Sequence, residues 1–348
     1  MPATTGAKKL PAVLTAVFFV HLSVATGAMI KAWLDSGHRI SAVVVYRQKR
    51  IRIVSAPIQW IVLQWSLLRH LRRHRISIID PKPPLDWLEL RRMLAAGAPD
   101  VAITFGFMRL IPQSLIGLFP RGALNFHPAL LPYYRGPQPF HWIAIDNAWE
   151  TAGGVTLHEM TDAFDEGPIV AQAAMSDASI TVEPGGFIAD ALASMTRDVI
   201  PRYCAGEIRA WPQPPGDYPY ASFGPLPELV VYPHWTRQYL RFLCTVIVRR
   251  PGVSIEISGK KIRLLTEDGA LGPPTGRPPV TRWHKIEFDL ADHRVVYWRH
   301  TPLIKLLRSL RALPRHLRRR SRDVPIRLGP FGGPHDDQAG DEISAETT

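Results

Sequence analysis

Cysteine is scarce in this chain, and long hydrophobic runs are missing from it. The 348 residues include only 2 cysteines, Cys204 and Cys244, and these do not have the spacing of metal ligands. The sequence therefore predicts neither a disulfide framework nor a zinc site, and we expect a cytoplasmic location. No apolar stretch reaches the length of about 20 residues that a membrane-spanning helix needs.

Acidic residues are also under-represented. The 30 Asp and Glu residues stand against 42 Lys and Arg residues, which gives a formal net charge of +12. Such a balance favours anionic partners: nucleic acids, phosphorylated metabolites or an acidic membrane surface. Two predicted basic helices, over residues 58–75 and 303–322, concentrate this charge. Each is either packed on its own domain with a solvated basic face or in peripheral contact with RNA or a membrane.

The first part of the chain predicts an α/β fold. An apolar run over residues 13–20 is typical of a buried parallel strand, and a helix over 28–35 and a valine-rich strand over 39–46 follow it. A strand, a helix and a strand at this spacing form a right-handed βαβ unit. The pattern continues with strands over 76–79, 101–107, 154–160 and 169–174, and with helices over 85–96, 112–118, 140–146 and 187–203.

The composition changes after residue 210. Residues 211–228 are rich in proline and predict an extended linker. Residues 229–300 combine a helix over 235–249, a hairpin over 253–265 and one or two strands within 287–298, which predicts a small β-rich domain. The predicted units are a disordered lead-in over 1–10, the α/β domain over 11–210, the linker, the small domain, a basic amphipathic helix over 301–322 and a disordered tail over 323–348.

A strand that ends in a rigid polar loop lies at the centre of the α/β domain. Asn125 and His127 are two residues apart, so on an extended chain their side chains point the same way. Four prolines, of which Pro128 is the first and Pro139 the last, stiffen the segment and prevent a helix from forming there. In α/β proteins, catalytic and binding residues are commonly held at the end of a strand in this way. An Asn-x-His pair is also common in turns, so the pair alone does not decide its role.

The longer pattern resembles a known family. The string Asn-Phe-His-Pro-Ala-Leu-Leu-Pro over 125–132, followed by Arg135 and Gly136, resembles the signature loop of the 10-formyltetrahydrofolate-dependent formyltransferases. Residues 154–160 and 164–172 resemble the second signature of that family, in the same order and at similar spacing. The resemblance implies a Rossmann-like, parallel-sheet formyltransferase domain with a shortened β-rich C-terminal domain. It also implies transfer of a formyl group from 10-formyltetrahydrofolate, the donor co-substrate, to a primary amine.

The resemblance implies a catalytic set of Asn125, His127 and Asp165. On residue type alone, Asp162 and Glu166 are alternatives to Asp165, and the family pattern selects Asp165. Attack of an amine on the formyl carbon gives a tetrahedral oxyanion, for which the Asn125 amide and a protonated His127 are suitable hydrogen-bond donors. A carboxylate beside His127 can hold the imidazolium and relay protons. No metal ion is expected in this chemistry.

The resemblance also implies where the folate donor binds. The residues after the predicted strand over 101–107 form an aromatic-Arg-Leu-Ile-Pro string that in the family packs beside the pterin ring. From the residues alone, Arg109 is equally a surface charge, and Arg135 is equally a structural arginine that braces its loop. The predicted donor-binding residues are Phe107, Met108, Arg109, Leu110, Leu131, Pro132, Arg135 and Gly136.

The sequence leaves the acceptor open. The second signature and the short C-terminal domain favour a small amine, such as a nucleotide-linked amino sugar. The basic segments favour methionyl-tRNA, as in the methionyl-tRNA formyltransferases. A hydrolase that passes the formyl group to water is a third hypothesis, which we disfavour because the family's hydrolases carry an N-terminal regulatory domain. A non-catalytic RNA or membrane binder is a fourth, which the intact Asn125, His127 and Asp165 argue against.

Overall fold

A computed structural model describes residues 13–45, 67–81, 84–175, 184–247, 252–301 and 322–330. The predicted lead-in over 1–10, the first half of the basic segment 58–75 and the predicted helix over 303–322, apart from its last residue, lie outside these ranges. In the described part of the chain, no helix is long and apolar enough to cross a membrane.

A seven-stranded sheet organises the α/β domain and confirms the predicted fold class. Strands β1 to β5 are parallel, in the spatial order β3-β2-β1-β4-β5. Strands β6 and β7 continue the sheet in antiparallel pairing, a departure from the purely parallel sheet that we expected. A loop is enough to join β6 to β7, because antiparallel neighbours need no crossover. The strands are β1 Thr15–Val20, β2 Arg39–Val45, β3 Ser77–Ile79, β4 Val101–Phe105, β5 Ala123–His127, β6 Gly154–Glu159 and β7 Ile169–Ala174.

Helices cover both faces of this sheet, which explains why its strands are apolar throughout. On β1, Phe18 and Val20 belong to one buried cluster, whereas Val17 and Phe19 belong to a second cluster on the opposite face. The helices of the domain are α1 Val24–Asp35, α2 67–73, α3 Trp87–Ala95, α4 Gln113–Ile116, α5 Pro139–Ile145, α6 Trp149–Ala152, α7 Pro184–Ser194, which runs into a π-helical turn at Met195–Val199, and α8 Ile200–Cys204.

Helix α1 begins four residues earlier than the sequence predicted. Its first turn is closed by a capping box, in which the Ser23 side chain accepts from the Thr26 backbone N–H and the Thr26 hydroxyl accepts from the Ser23 backbone N–H. These two bonds satisfy backbone donors that a helix start otherwise leaves without partners. Ser23 and Thr26 therefore form the N-terminal cap of the helix.

The C-terminal part contains a second, six-stranded sheet in the order β11-β12-β13-β10-β9-β8. Helix α9 Arg237–Val246 packs it against the α/β domain, where the Phe242 ring meets Phe140 edge-on and the Tyr239 hydroxyl donates to the Ile145 carbonyl at 2.9 Å. Apolar residues of both parts belong to one buried cluster. The strands are β8 Leu229–Val230, β9 Val253–Ile257, β10 Lys260–Gly272, β11 Val280–Thr281, β12 Lys285–Asp289 and β13 Arg294–Arg299.

The proline-rich segment is extended, but it is not a free linker. Trp211 exchanges two backbone hydrogen bonds with Ile169 of β7, at 2.7 and 2.8 Å. Further on, the Pro219 carbonyl accepts from Tyr134, and the Ala221 N–H donates to the Arg135 carbonyl. A proline residue can still accept a hydrogen bond through its carbonyl, as Pro219 does here. The hydrogen-bond partners of the segment lie on β7 and on the loop after β5. We call residues 211–226 the strap, because they cross the surface from β7 to the loop after β5.

Part of the predicted disordered tail is also ordered. Arg327 exchanges backbone hydrogen bonds with Gln172 of β7, and Asp323 accepts from the Arg197 guanidinium at 2.8 Å. Three apolar residues of this segment, Val324, Ile326 and Leu328, pack against the core. The prediction of disorder from residue 323 is wrong for residues 323–330, because the exposed edge of β7 offers backbone partners.

Candidate active site

A cavity of about 460 Å³ opens beside the carboxyl ends of β4 and β5 and is also lined by His158 of the antiparallel strand β6. The carboxyl edge of such a sheet is where α/β proteins usually bind ligands. On β5, Asn125 lies between Thr104 of β4 and His158 of β6 in the strand register, so these three side chains share one edge of the sheet. The loop between β6 and β7 brings Asp165 to the same cavity.

The orientation of the Asn125 amide is fixed on both sides. Its Oδ1 accepts from the Thr104 hydroxyl at 2.5 Å, and its Nδ2 lies 3.0 Å from His158 Nε2 and 3.3 Å from Asp165 Oδ1. His158 Nδ1 is 2.8 Å from the Glu159 carbonyl, which can only accept, so Nδ1 carries the proton. In the neutral ring Nε2 is then an acceptor, and both Asn125 N–H groups have acceptors.

His127 is buried and is held in one tautomer by the backbone. Its Nε2 lies 2.8 Å from the Tyr134 carbonyl and must donate to it. Its Nδ1 faces Asp165 Oδ2 at 3.5 Å. Burial lowers the pKa of His127, and the nearby Asp165 carboxylate only partly offsets this. A neutral imidazole held in this way carries its lone pair on Nδ1, on the side of Asp165.

Asp165 is the charged centre of the cluster. Burial alone would raise the pKa of Asp165, but the positive charge that His127 and His158 gain on protonation, together with the Gly136 backbone N–H, lowers it. That N–H donates to Oδ2 at 2.9 Å, and His158 Nε2 lies 3.5 Å from Oδ1. The neighbours Asp162 and Glu166 are exposed and do not line the cavity. Of the three carboxylates, the geometry therefore selects Asp165.

The structure divides the predicted donor-binding residues into two groups. Phe107, Met108, Arg109, Leu110 and Gly136 line the cavity with the three predicted catalytic residues. Leu131, Pro132 and Arg135 are not among the lining residues, and their role in donor binding stays a prediction.

The contacts of these three residues hold the loop in place. Leu131 and Pro132 are buried, and Leu131 uses its backbone to bond Thr156 and Gln172 of the neighbouring strands. The Arg135 guanidinium donates twice to the Gln213 side-chain oxygen of the strap. The structural interpretation of Arg135 is therefore the one that the contacts support.

Sequence reasoning missed the contributions of His158 and of the strap. His158 lies within the second signature string, so its position was visible but its contact with Asn125 was not. Three large aromatic side chains at the cavity are more than half exposed: Phe164 at 52%, Tyr220 at 58% and Phe223 at 72%. Tyr220 and Phe223 belong to the strap, and no local pattern connected that segment to the cavity. Among the described residues, no group of His, Cys, Asp and Glu side chains could hold a metal ion.

Comparisons with known proteins agree on one fold. An N-formyltransferase from Helicobacter canadensis, solved with folinic acid and dTDP-3-aminofucose, is 13% identical with a TM-score of 0.52, over 83% of this chain and 100% of that one. A variant of HypX from Aquifex aeolicus is 18% identical with a TM-score of 0.51, over 82% of this chain and 44% of that one. This chain thus spans less than half of HypX. Glycinamide ribonucleotide transformylase 1 from Symbiobacterium toebii is 20% identical with a TM-score of 0.46, over 59% of this chain and 95% of that one.

At these identities the two structures with TM-scores above 0.5 show the fold alone, and the sequence gives a separate match. Residues 83–182 match the family model described as formyl transferase. This segment contains β5, the loop after it and the loop between β6 and β7, and hence Asn125, His127, His158 and Asp165. The chain is thus similar to the formyl transferase family over residues 83–182, the segment that carries these four side chains.

Proposed function

We propose that this protein transfers a formyl group from 10-formyltetrahydrofolate to a primary amine, and that its acceptor is a small amine such as a nucleotide-linked amino sugar. The observation that carries the proposal is the convergence of Asn125, His127 and Asp165 on one cavity, where His127 Nδ1 lies 3.5 Å from Asp165 Oδ2. That arrangement takes up and returns a proton while an adjacent amide stabilises negative charge.

The cavity fits a folate donor. Its volume of about 460 Å³ lies within the range of small-molecule sites, and its walls are mostly apolar. Phe107, Met108, Leu110 and Phe164 provide flat or flexible apolar surface of the kind that encloses a planar ring. When bound, the donor supplies the formyl carbon and the nitrogen that leaves it.

His127 is the base in this proposal. Its Nδ1 accepts a proton from the attacking amine, since the Nε2 proton is engaged by the Tyr134 carbonyl. Asp165 Oδ2, at 3.5 Å, stabilises the resulting imidazolium without taking the proton, because its own pKa is held low. The same Nδ1–H then protonates the leaving nitrogen, and His127 returns to its neutral form.

Asn125 stabilises the oxyanion. One of its amide hydrogens stays with His158, and the other makes the longer bond, 3.3 Å, to Asp165. The formyl oxygen can share that second hydrogen with Asp165 as negative charge develops on it. A donor of this kind contributes about 3 kcal/mol to transition-state stabilisation.

The comparisons and the charge point to two acceptors. The Helicobacter canadensis enzyme is matched over its whole length, and it was solved with an amino-sugar nucleotide, which supports a small amine. The net charge of +12 and an exposed aromatic-basic surface favour methionyl-tRNA as the second candidate. On that surface Trp283 is 80% exposed and Lys285 lies over the Trp298 ring. Contact of the basic segments with RNA or a membrane, and the cytoplasmic location, stay predictions.

Tetrahydrofolate release from 10-formyltetrahydrofolate tests the proposal. We expect turnover with nucleotide-linked amino sugars, and loss of at least 100-fold in kcat for His127→Asn and Asp165→Asn. Asp162→Asn on the same loop is the matched control and should keep wild-type activity. Turnover with methionyl-tRNA alone would select the second acceptor, and formate release without an amine would indicate a hydrolase. Undiminished activity of His127→Asn would refute the mechanism.

A further inference from the structure

The loop that carries Asp165 adopts an unfavourable backbone conformation. Asp165 has a φ of +55°, in the left-handed region that residues with a Cβ rarely occupy. Two residues later, a Cβ on Gly167 would lie 1.9 Å from the Glu159 carbonyl oxygen, so the loop closes tightly against the end of β6. A conformation of this kind persists where the surroundings hold it in place.

Gln213 of the strap bonds the backbone of this loop directly. Its Nε2 donates to the Asp165 carbonyl at 2.7 Å and to the Gly167 carbonyl at 2.8 Å. The two acceptors flank the turn that aims the Asp165 carboxylate at His127. Both hydrogens of the Gln213 amide are therefore used on the loop.

Arg135 fixes which way the Gln213 amide points. Its Nε and Nη2 donate to Gln213 Oε1 at 2.9 and 2.7 Å. A flipped amide would set its NH₂ group against the guanidinium and its oxygen against two carbonyls, so the Arg135 fork excludes that orientation. Gln213 thus joins the loop after β5, which carries Arg135, to the loop between β6 and β7, which carries Asp165.

We infer that Gln213 is a positioning residue for Asp165 and that Arg135 acts through it. The strap then has a functional role: its two backbone hydrogen bonds with β7 and the Arg135 fork place one amide where it holds the Asp165 turn. The kinetic consequence rests on the proposed formyl transfer, whereas the structural consequence does not depend on any activity.

Gln213→Glu separates the two contacts of this side chain. The carboxylate keeps a partner in Arg135, but it has no hydrogens to donate and sets an oxygen against two carbonyl oxygens. We expect kcat to fall at least tenfold while the KM for the donor changes less than twofold. Gln113→Glu, on the exposed start of α4, is the matched control for the added charge and should keep wild-type kcat. If the Glu variant does not fold, Gln213→Ala serves in its place.

A second set of variants tests whether Arg135 acts through Gln213. Arg135→Ala should lower kcat, as Gln213→Glu does. The double variant should lose no more than the worse single variant, because both act on the same two carbonyls. Independent, multiplying losses would mean that Arg135 has a separate role and would overturn the inference.

Hydrogen exchange at the Gly136 amide supplies a measurement that needs no turnover. This N–H donates to Asp165 Oδ2, so its protection reports whether the carboxylate is in place. In Gln213→Glu we expect at least tenfold less protection of Gly136, with unchanged protection of the β1 amides. Unchanged Gly136 protection would overturn the inference, even if kcat falls. Absence of turnover in the wild type would count against the proposed function alone, and the exchange result would still decide the role of Gln213.

Discussion

Replacing Gly136 by alanine tests the link between the loop after β5 and the carboxylate of Asp165. Gly136 has a φ of +111°, and the Cβ of an alanine there would lie 2.8 Å from both the Ala221 carbonyl oxygen and Tyr220 Cζ. The first of these contacts is with backbone of the strap, which cannot rotate away. The same glycine donates its N–H to Asp165 Oδ2 at 2.9 Å.

The structure sets the size of the effect. An L-residue in this backbone region costs about 1–3 kcal/mol, and displacement of the strap adds to that cost. A hydrogen bond to a charged group contributes about 1.5–3 kcal/mol, and the displaced N–H loses part of it. We therefore expect Gly136→Ala to lower the free energy of unfolding by about 3 kcal/mol and kcat by at least tenfold.

Chemical denaturation and steady-state kinetics check these values side by side. Gly27→Ala is the control, because a Cβ there meets no heavy atom within 4 Å and the residue lies inside helix α1. Alanine at that position should raise the free energy of unfolding by about 0.5–1 kcal/mol and leave kcat unchanged. A Gly136→Ala protein with wild-type stability and wild-type kcat would show that the strap does not press on Gly136 and would refute the reasoning.

Three further outcomes follow from the described contacts. His158→Leu should lower kcat about tenfold without changing the KM for the donor, which initial-rate kinetics can measure. The reason is that one Asn125 N–H loses its acceptor, at a cost of about 1–3 kcal/mol. Acidification from pH 7 to 5 should lower the thermal midpoint of unfolding. Burial keeps the pKa of His127 in the folded protein below the unfolded value of about 6.5. The unfolded chain therefore binds more protons than the folded protein in this pH window, and acid favours unfolding. His127→Asn should reduce that slope, and an equal slope in both proteins would contradict the assignment. Asp86→Ala should lower the free energy of unfolding by about 1 kcal/mol with unchanged kcat, because the Asp86 carboxylate caps α3 by accepting from Leu88 and Glu89.

The fold was predictable where burial leaves a local signal. Strands β1 and β4 are covered on both faces, so each appears in the sequence as an unbroken apolar run. The start of α1 was not recovered, because serine, threonine and glycine favour turns as well as helix caps. The antiparallel direction of β6 and β7 also has no local signal, since it depends on which neighbour each strand finds across the sheet.

The candidate site was predictable to the extent that it is local. Asn125 and His127 are two residues apart on one strand, and that spacing alone places both side chains at one edge of the sheet. Asp165 followed from the resemblance, and the structure then excluded Asp162 and Glu166 by their exposure. The bond between Arg135 and Gln213 was not predictable, because Gln213 lies 78 residues further along in a segment without periodicity.

The protonation states were the least accessible to sequence reasoning, and the reason is physical. In both active-site histidines a backbone carbonyl sets the tautomer: Tyr134 for His127 and Glu159 for His158. Every residue has a backbone carbonyl, so the residue types at positions 134 and 159 do not predict these bonds. Burial then lowers the pKa of His127, and it too depends on the whole fold. The motif therefore identifies the candidate catalytic residues, whereas the direction in which His127 would move its proton depends on the folded backbone around it.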